Sequence, residues 1–268
     1  MDYNRKRERI MKLLKTIFKS IAVAFSIYSK IPMPRFEWGS KDMEYHLCFF
    51  PWVGAFIGGV MYGWYRLCDY LSVRDLTFCL IAIAIPLLVT GGFHVDGFMD
   101  TMDALSSYKD KEEKLRILKD PHIGAFSVIS MCTLMLILTG FFYEVDREDA
   151  IILICFGFFI SRILSGLMVV HVKCANEGGM LAVFSNSAAK KTVTVVLGME
   201  LMVSIVALCI YSLYAACTAV IVSAIWIILF LKMIKKKFGG ITGDLAGFFV
   251  VINETLMVIA AGVWCVLG

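Results

Sequence analysis

Seven long apolar stretches limit what this chain can fold into more than any other feature. They run approximately over residues 48–71, 75–93, 124–143, 150–172, 193–214, 216–231 and 246–267. Each reaches or approaches the roughly 20 residues that a helix needs to cross a bilayer core of about 30 Å. A helix also satisfies its own backbone hydrogen bonds, which hydrocarbon cannot do. The expected fold is therefore all-α: a polytopic integral membrane helical bundle of about seven transmembrane helices. Composition agrees, with 59% hydrophobic and 18% charged residues among 268, where soluble domains average about 45–50% and about 25%. It also excludes a disordered chain, a small disulfide scaffold and a collagen-like repeat. The chain reads as one membrane-embedded domain over 1–268, with a basic N-terminal segment over 1–47 and the bundle over 48–268.

An eighth apolar stretch, Ile17 to Tyr28, is shorter and carries Lys19, with Lys15 before it and Lys30 after. It is expected as an interfacial or re-entrant amphipathic helix. Lys and Arg concentrate on the cytoplasmic side of membrane proteins. With the N-terminus inside, the inner segments are 1–47, 94–123, 173–192 and 232–245. They hold every basic residue except Arg66, Arg74, Arg147 and Arg162, out of 26. That asymmetry favours seven crossings, a cytoplasmic N-terminus and an outer C-terminus. The net charge of +4 is mild, and no nucleic-acid partner is expected. No secretory signal is apparent, so the N-terminus is expected to be retained. The nine cysteines show no C-x-x-C and no Cys/His ligand spacing, and they read as buried thiols.

The inner segments concentrate unusual polar residues. Asp96, Asp100 and Asp103 fall at i, i+4 and i+7 behind His94 and Gly91-Gly92. That spacing puts three carboxylates on one helical face, neighbours about 5–6 Å apart. Unpaired they repel, so a hard cation is the expected neutraliser, and carboxylates with substrate phosphates are the usual ligands of Mg²⁺. His94 suits either a hydrogen bond at the helix start or a proton transfer. After a mixed-charge helix over 109–119, Lys119-Asp120-Pro121-His122-Ile123-Gly124 forms a turn in which Lys119 and His122 serve either as phosphate contacts or in turn chemistry.

A second inner loop, Gly239-Gly240-Ile241-Thr242-Gly243-Asp244, follows three lysines and precedes a helix. Backbone N–H groups and a positive helix end cradle anions in such loops, although Thr242 or Asp244 also fits a plain N-cap. It is not a Walker loop, because the G-K-[ST] ending is missing. Within the apolar stretches, Arg162, Glu200, Asn253 and Glu254 stand out, since an ionised residue at mid-membrane costs about 2.5–3.5 kcal/mol on insertion scales. Such residues face the bundle interior and find partners. Arg162 is expected to pair with Glu254 or to bind a phosphate, Ser161 and Ser165 to bond backbone or neighbouring helices, and Glu200 to serve packing or the interface.

Taken in order, Gly91-Gly92-Phe93-His94-x-Asp96-Gly97-x-x-Asp100-x-x-Asp103, Leu118-Lys119-Asp120-x-x-Ile123-Gly124-Ala125-Phe126, Ser161-Arg162 and Gly239-Gly240-Ile241-Thr242-Gly243-Asp244 with Asn253-Glu254 closely resemble the cobalamin synthase family, the adenosylcobinamide-GDP ribazoletransferases. Ile31-Pro32-Met33-Pro34 and Phe50-Pro51-x-Val53-Gly54 fit it as well. Lys30 and His122 stand where many members carry arginine, and Ala104 where glycine is common; these departures bear on individual phosphate contacts. The resemblance implies a membrane transferase in nucleotide-loop assembly of vitamin B12. Such an enzyme joins adenosylcobinamide-GDP to α-ribazole or its 5′-phosphate and releases GMP, with Mg²⁺ as cofactor. It implies Asp96, Asp100 and Asp103 as metal ligands, and Lys119, His122 and Arg162 at the diphosphate or guanylyl end. Asp120, Gly124, Thr242, Gly243 and Asp244 belong to the same substrate pocket, Glu254 orients Arg162, and His94 or an aspartate accepts the hydroxyl proton. A homo-oligomer, or association with other enzymes of the same assembly, is compatible with it. The rival readings are a membrane transferase of the CDP-alcohol phosphotransferase or polyprenyl type, and a transporter with Arg162 and Glu254 lining its path.

Overall fold

The computed structural model describes residues 2–34, 36–37, 39–176 and 178–267. Each apolar stretch becomes a helix. The order is α1 (Asp2–Tyr28), two short 3₁₀ turns (Ser40–Met43, His46–Cys48), α2 (Phe50–Leu71), α3 (Asp75–Thr90), α4 (Phe93–Ser106), α5 (Lys111–Ile117), α6 (Ala125–Tyr143), α7 (Glu148–His171), α8 (Met180–Ser187), α9 (Lys190–Tyr211), α10 (Leu213–Lys237) and α11 (Gly243–Leu267). Five helices, α6, α7, α9, α10 and α11, are each long and apolar enough to cross a membrane. The number reaches seven if α2 with its preceding turns, bent by 44°, and α3 with α4, bent by 98°, each count as one span.

The second expected span, 75–93, ends early at Thr90. Gly91 and Gly92 both take left-handed backbone angles, φ 64° and 80°, which glycine adopts at no steric cost. A side chain at Gly91 would also collide with the aliphatic stem of Lys30. Two successive left-handed residues break the helix, and the chain re-emerges as α4.

α7 is the hub, buried along most of its length and packed on α2, α9 and α11. Gly54 and Gly58 on α2 form a G-x-x-x-G pair whose missing side chains let the backbones meet. A Cβ at Gly58 would lie 2.7 Å from the Cys155 carbonyl oxygen, and one at Gly54 would strike that of Phe158. Small residues serve this purpose in membranes, where packing must replace the hydrophobic drive between helices. The peripheral helices turn apolar side chains outward, among them Leu136 on α6, Ile210 on α9 and Ile228 on α10.

Two expectations need correction. α1 is not a short helix over 17–28 but one helix from Asp2, because its Arg, Lys, Glu and Leu residues are good helix formers that extend it. Its outer turns expose Met11, Leu13, Leu14 and Phe18, whereas Ala22, Val23, Ala24 and Tyr28 are buried against the bundle. The cysteines are not uniformly buried either. Cys48, Cys68 and Cys79 are, but Cys132, Cys209 and Cys217 are exposed, on outward faces where an apolar residue has lipid rather than protein to meet.

Several segments assigned to the inner side gather at one end of the bundle. The Ala189 N–H donates to the Glu44 carbonyl at 3.0 Å, and Phe184 sits edge-on to His46. Residues 173–175 pair with Ile241 through two backbone hydrogen bonds of 2.9 Å.

Candidate functional site

α4 and α11 are joined at this end by two glycines. A Cβ at Gly97 would lie 2.6 Å from the Asp244 carbonyl oxygen, and one at Gly247 3.1 Å from that of His94. The ring of Phe98 stacks on Phe248 at 5.8 Å. The helices cross in close contact here, so the acidic face of α4 and the glycine-rich start of α11 share one mouth. Gly97 meets the first turn of α11 and Asp103 the start of α6, so the acidic face of α4 lies at the end of the bundle where both helices begin.

The three aspartates have different surroundings. Asp96, in the first turn of α4, lines two pockets. Asp100 is pushed up to about 6 by partial burial, then by the like charges of Asp96, Asp244 and Asp103. Asp103 serves as a cap for α6: its carboxylate accepts from the Gly124 N–H at 2.7 Å, the Ser127 N–H at 2.9 Å and the Ser127 hydroxyl. A side chain at Gly124 would collide with that carboxylate, which gives this glycine a definite task. Among the described residues, no three His, Cys, Asp or Glu side chains converge as a ready metal cage.

The glycine-rich loop is held by its pairing with residues 173–175. Gly239 is left-handed at φ 81°, and a Cβ at Gly240 would strike the Lys173 carbonyl oxygen. Thr242 accepts from the Leu245 N–H at 3.2 Å and so acts as an N-cap of α11. Thr242, Gly243 and Asp244 line a pocket of about 270 Å³ with Asp96 and Lys119. Asp120 and His122 lie apart from it on an exposed turn, paired at 2.6 Å. Hydrogen bonds from the backbone and ring of His122 hold the Asp120 carboxyl below the usual carboxylate range. Neither residue lines the two pockets at Asp96.

Deeper in the bundle, Arg162 is 1% exposed. Its Nη1 donates to Glu254 at 2.5 Å and to the Phe158 carbonyl at 2.7 Å. His94 is also buried, against the contacting pair Tyr28 and Phe50, with ring centroids 6.4 and 5.6 Å away. Neither ring nitrogen has a hydrogen-bond partner among the described residues. His94, Arg162 and Glu254 line a cavity of about 60 Å³. Asn253 donates to the Ser161 hydroxyl at 2.8 Å, and Ser161 and Ser165 donate to backbone carbonyls. Glu200 accepts from the Trp52 indole at 2.9 Å on the far side of α2. The structure thus brings Asp96, Lys119, Thr242, Gly243 and Asp244 around one pocket. It sets Arg162, Glu254 and His94 behind that pocket, and Asp120 and His122 outside it.

Two residues at the mouth lie outside the expected set of site residues, although Lys30 stands where many members of the resembled family carry arginine. Lys30 lines the second pocket at Asp96, and Asn176 lines the first. Both come from connections remote in sequence; Lys30 is marked by its place in the family pattern, Asn176 only by its polarity beside an apolar stretch.

Residues 20–262 match the family model described as cobalamin-5-phosphate synthase. The chain belongs to the cobalamin-5-phosphate synthase family. A relative from Lachnoclostridium phytofermentans is 40% identical over 248 residues, covering 91% of this chain and 95% of its own. One from Clostridium botulinum is 34% identical over 253 residues, covering 92% and 98%. One from Clostridium perfringens is 31% identical over 251 residues, covering 93% and 100%. All three are named adenosylcobinamide-GDP ribazoletransferase. No solved structure matches. For this synthase-family chain the other membrane transferase types and the transporter are not favoured.

Proposed function

We propose that this chain joins adenosylcobinamide-GDP to α-ribazole, or to α-ribazole 5′-phosphate, giving adenosylcobalamin or its 5′-phosphate and releasing GMP. The observation that carries this reading is the glycine-mediated seating of α4 on α11. In a chain that matches the family over residues 20–262, it puts an acidic face and an anion-suited helix start at one mouth. The three relatives' names support the substrates.

The donor set fits Mg²⁺. That ion commonly takes one or two carboxylates and completes its shell with water and substrate phosphates, so it needs no three-carboxylate cage. Asp96 and Asp100 are the residues that would hold it. Asp100 is raised first by burial and then by the like charges of Asp96, Asp244 and Asp103, and a divalent cation would offset both. Asp103, expected as a third ligand, has both oxygens engaged at the start of α6 and contributes chiefly by fixing α4 against that helix. Bound at this face, the ion supplies charge neutralisation on the transferred phosphoryl group and on departing GMP.

The remaining chemistry falls to the chain. The ribazole 3′-hydroxyl oxygen forms a bond to the cobinamide-linked phosphorus, the bond from that phosphorus to the bridging oxygen breaks, and GMP leaves with the bridging oxygen. The hydroxyl proton passes to a carboxylate of the α4 face. Lys119 and the start of α11 at Thr242 and Gly243 bind phosphate oxygens. His94, Arg162 and Glu254 are positioning residues that back α4 from below. The basic residues of the connections support a cytoplasmic mouth and N-terminus under the positive-inside rule.

The test is incubation of the purified protein in vesicles with adenosylcobinamide-GDP, α-ribazole and Mg²⁺, followed by mass analysis. Adenosylcobalamin and GMP are expected in equal amounts. Absence of both from folded protein overturns the reading.

A further inference from the structure

Two pockets of unlike character meet at the first turn of α4, and Phe93 and Asp96 line both. The first, about 270 Å³, lies between α5, α8 and the glycine-rich loop. Leu115, Leu118, Leu181 and Ile241 give it largely apolar walls, broken on one side by Lys119, Asn176 and Asp96 and by the start of α11 at Thr242 and Asp244. The second, about 470 Å³, opens between the end of α1 and the Gly91–Gly92 break, and Ser26, Lys30 and the two glycines give it a polar lining. Lys30 is anchored there: its N–H donates to the Val89 carbonyl at 2.8 Å, and its stem lies on Gly91, where any side chain would displace it. The residue is exposed, and among the described residues it has no ion-pair partner.

We infer that the two pockets divide the substrates: the polar pocket seats the diphosphate of the nucleotide-activated corrinoid against Lys30, and the apolar pocket seats the aromatic base of the acceptor nucleoside. This rests on the proposed reaction and adds to it a donor-binding residue and an order in space. A flat aromatic base gains by entering an apolar slot, and a diphosphate does not. A lone anchored lysine in an open polar pocket is suited to a dianion. A corrin ring is too large for either pocket, so the donor must enter through the more open one with its ring outside. Asp96, shared by both walls, then stands beside the attacking hydroxyl and the phosphorus, and Lys119 with Thr242 and Gly243, on the polar side of the apolar pocket, meets the oxygens of the 5′-phosphate when the acceptor carries one.

The test is steady-state GMP release in vesicles with each substrate varied in turn. Lys30→Gln is expected to raise KM for adenosylcobinamide-GDP about tenfold, the loss of one charge-assisted hydrogen bond, with KM for α-ribazole unchanged. Lys30→Arg restores the donor KM. Leu115→Trp, which narrows the apolar pocket, does the converse, raising KM for α-ribazole alone. Calorimetric binding of α-ribazole to the wild type and to Lys30→Gln gives the same affinity, a readout independent of turnover. An exchanged pattern, an equal rise in both KM values, or loss of α-ribazole binding in Lys30→Gln overturns the division of substrates. Failure of the wild type to release GMP overturns the reaction itself, so the two failures are distinct.

Discussion

At the mouth, Asp96 and Asp100 stand without an ion-pair partner among the described residues. Ten residues further along α11 than Asp244, about 15 Å into the bundle, Glu254 is locked to Arg162 at 2.5 Å. The two regions carry the same kinds of group under opposite conditions. In the interior a charge cannot persist alone, so it is paired and hydrogen-bonded and has little capacity left for a ligand. At the mouth like charges are held together by helix packing that ignores their repulsion: Gly97 and Gly247 clamp α4 to α11 whatever the aspartates prefer. The free energy held in that repulsion is available to a cation, whereas the interior pair already satisfies itself. The contrast separates groups that do chemistry from groups that support it.

The largest expected effect breaks the contrast at its reactive end. Asp96→Ala and Asp100→Ala should each lower Mg²⁺-dependent GMP release by at least about 100-fold, the scale of losing preorganised electrostatic stabilisation. Insertion into vesicles and thermal unfolding should stay near wild type, because neither carboxylate is engaged in packing. Near-normal turnover in both variants would show that the unpaired charges are idle and that the mouth is not the reactive region.

The interior pair predicts the reverse pattern. Arg162→Ala leaves Glu254 buried without its partner, which costs about 3–5 kcal/mol, read as a lower Tm in detergent. The double variant Arg162→Leu with Glu254→Leu should recover most of that loss, since apolar residues can replace a buried pair. Arg162→Lys keeps the charge but changes the length and geometry of the side chain whose Nη1 donates to both Glu254 and Phe158, and should fall between them. A double variant no more stable than Arg162→Ala, or a single variant with an unchanged Tm, would place Arg162 among the working groups instead.

Much of this was legible in the sequence, for physical reasons that differ by region. The apolar stretches had to be helices because lipid leaves the backbone no alternative. The three-and-four spacing of Asp96, Asp100 and Asp103 placed them on one side of a helix by periodicity alone, and Arg162 and Glu254 had to seek partners because their burial is costly. The rest depends on what meets what through space. The break at Gly91–Gly92 is set by two left-handed residues and the Lys30 stem, the approach of α2 to α7 by the backbones opposite Gly54 and Gly58, and the exclusion of Asp120 and His122 by their closing on each other. None of these is a periodic or compositional signal. Lys30 illustrates the difficulty: its place in the family pattern bears on a phosphate contact, but the pocket it lines is defined only when the end of α1 is brought beside α4.

The smallest predicted effect falls where the contrast is least sharp, at Asp103. It lies on the acidic face of α4 yet behaves like an interior group, because its oxygens are engaged by Gly124 and Ser127. Asp103→Asn keeps an acceptor for one of those N–H groups and removes the charge, whereas Asp103→Ala removes the cap altogether. If the residue is chiefly a cap, Ala should cost about 0.5–2 kcal/mol of stability and Asn a fraction of that, with the affinity for Mg²⁺ changing little in Asn. If it is a metal ligand of equal standing with Asp96 and Asp100, Asn should weaken Mg²⁺ as severely as Asp100→Asn does, at nearly unchanged stability. Titrating Mg²⁺ against GMP release, with Tm taken in parallel, reads the two quantities separately. The cap reading requires Tm to drop in Ala and the Mg²⁺ midpoint to hold in Asn, because a carboxylate that already accepts three hydrogen bonds has little lone-pair density left for a cation.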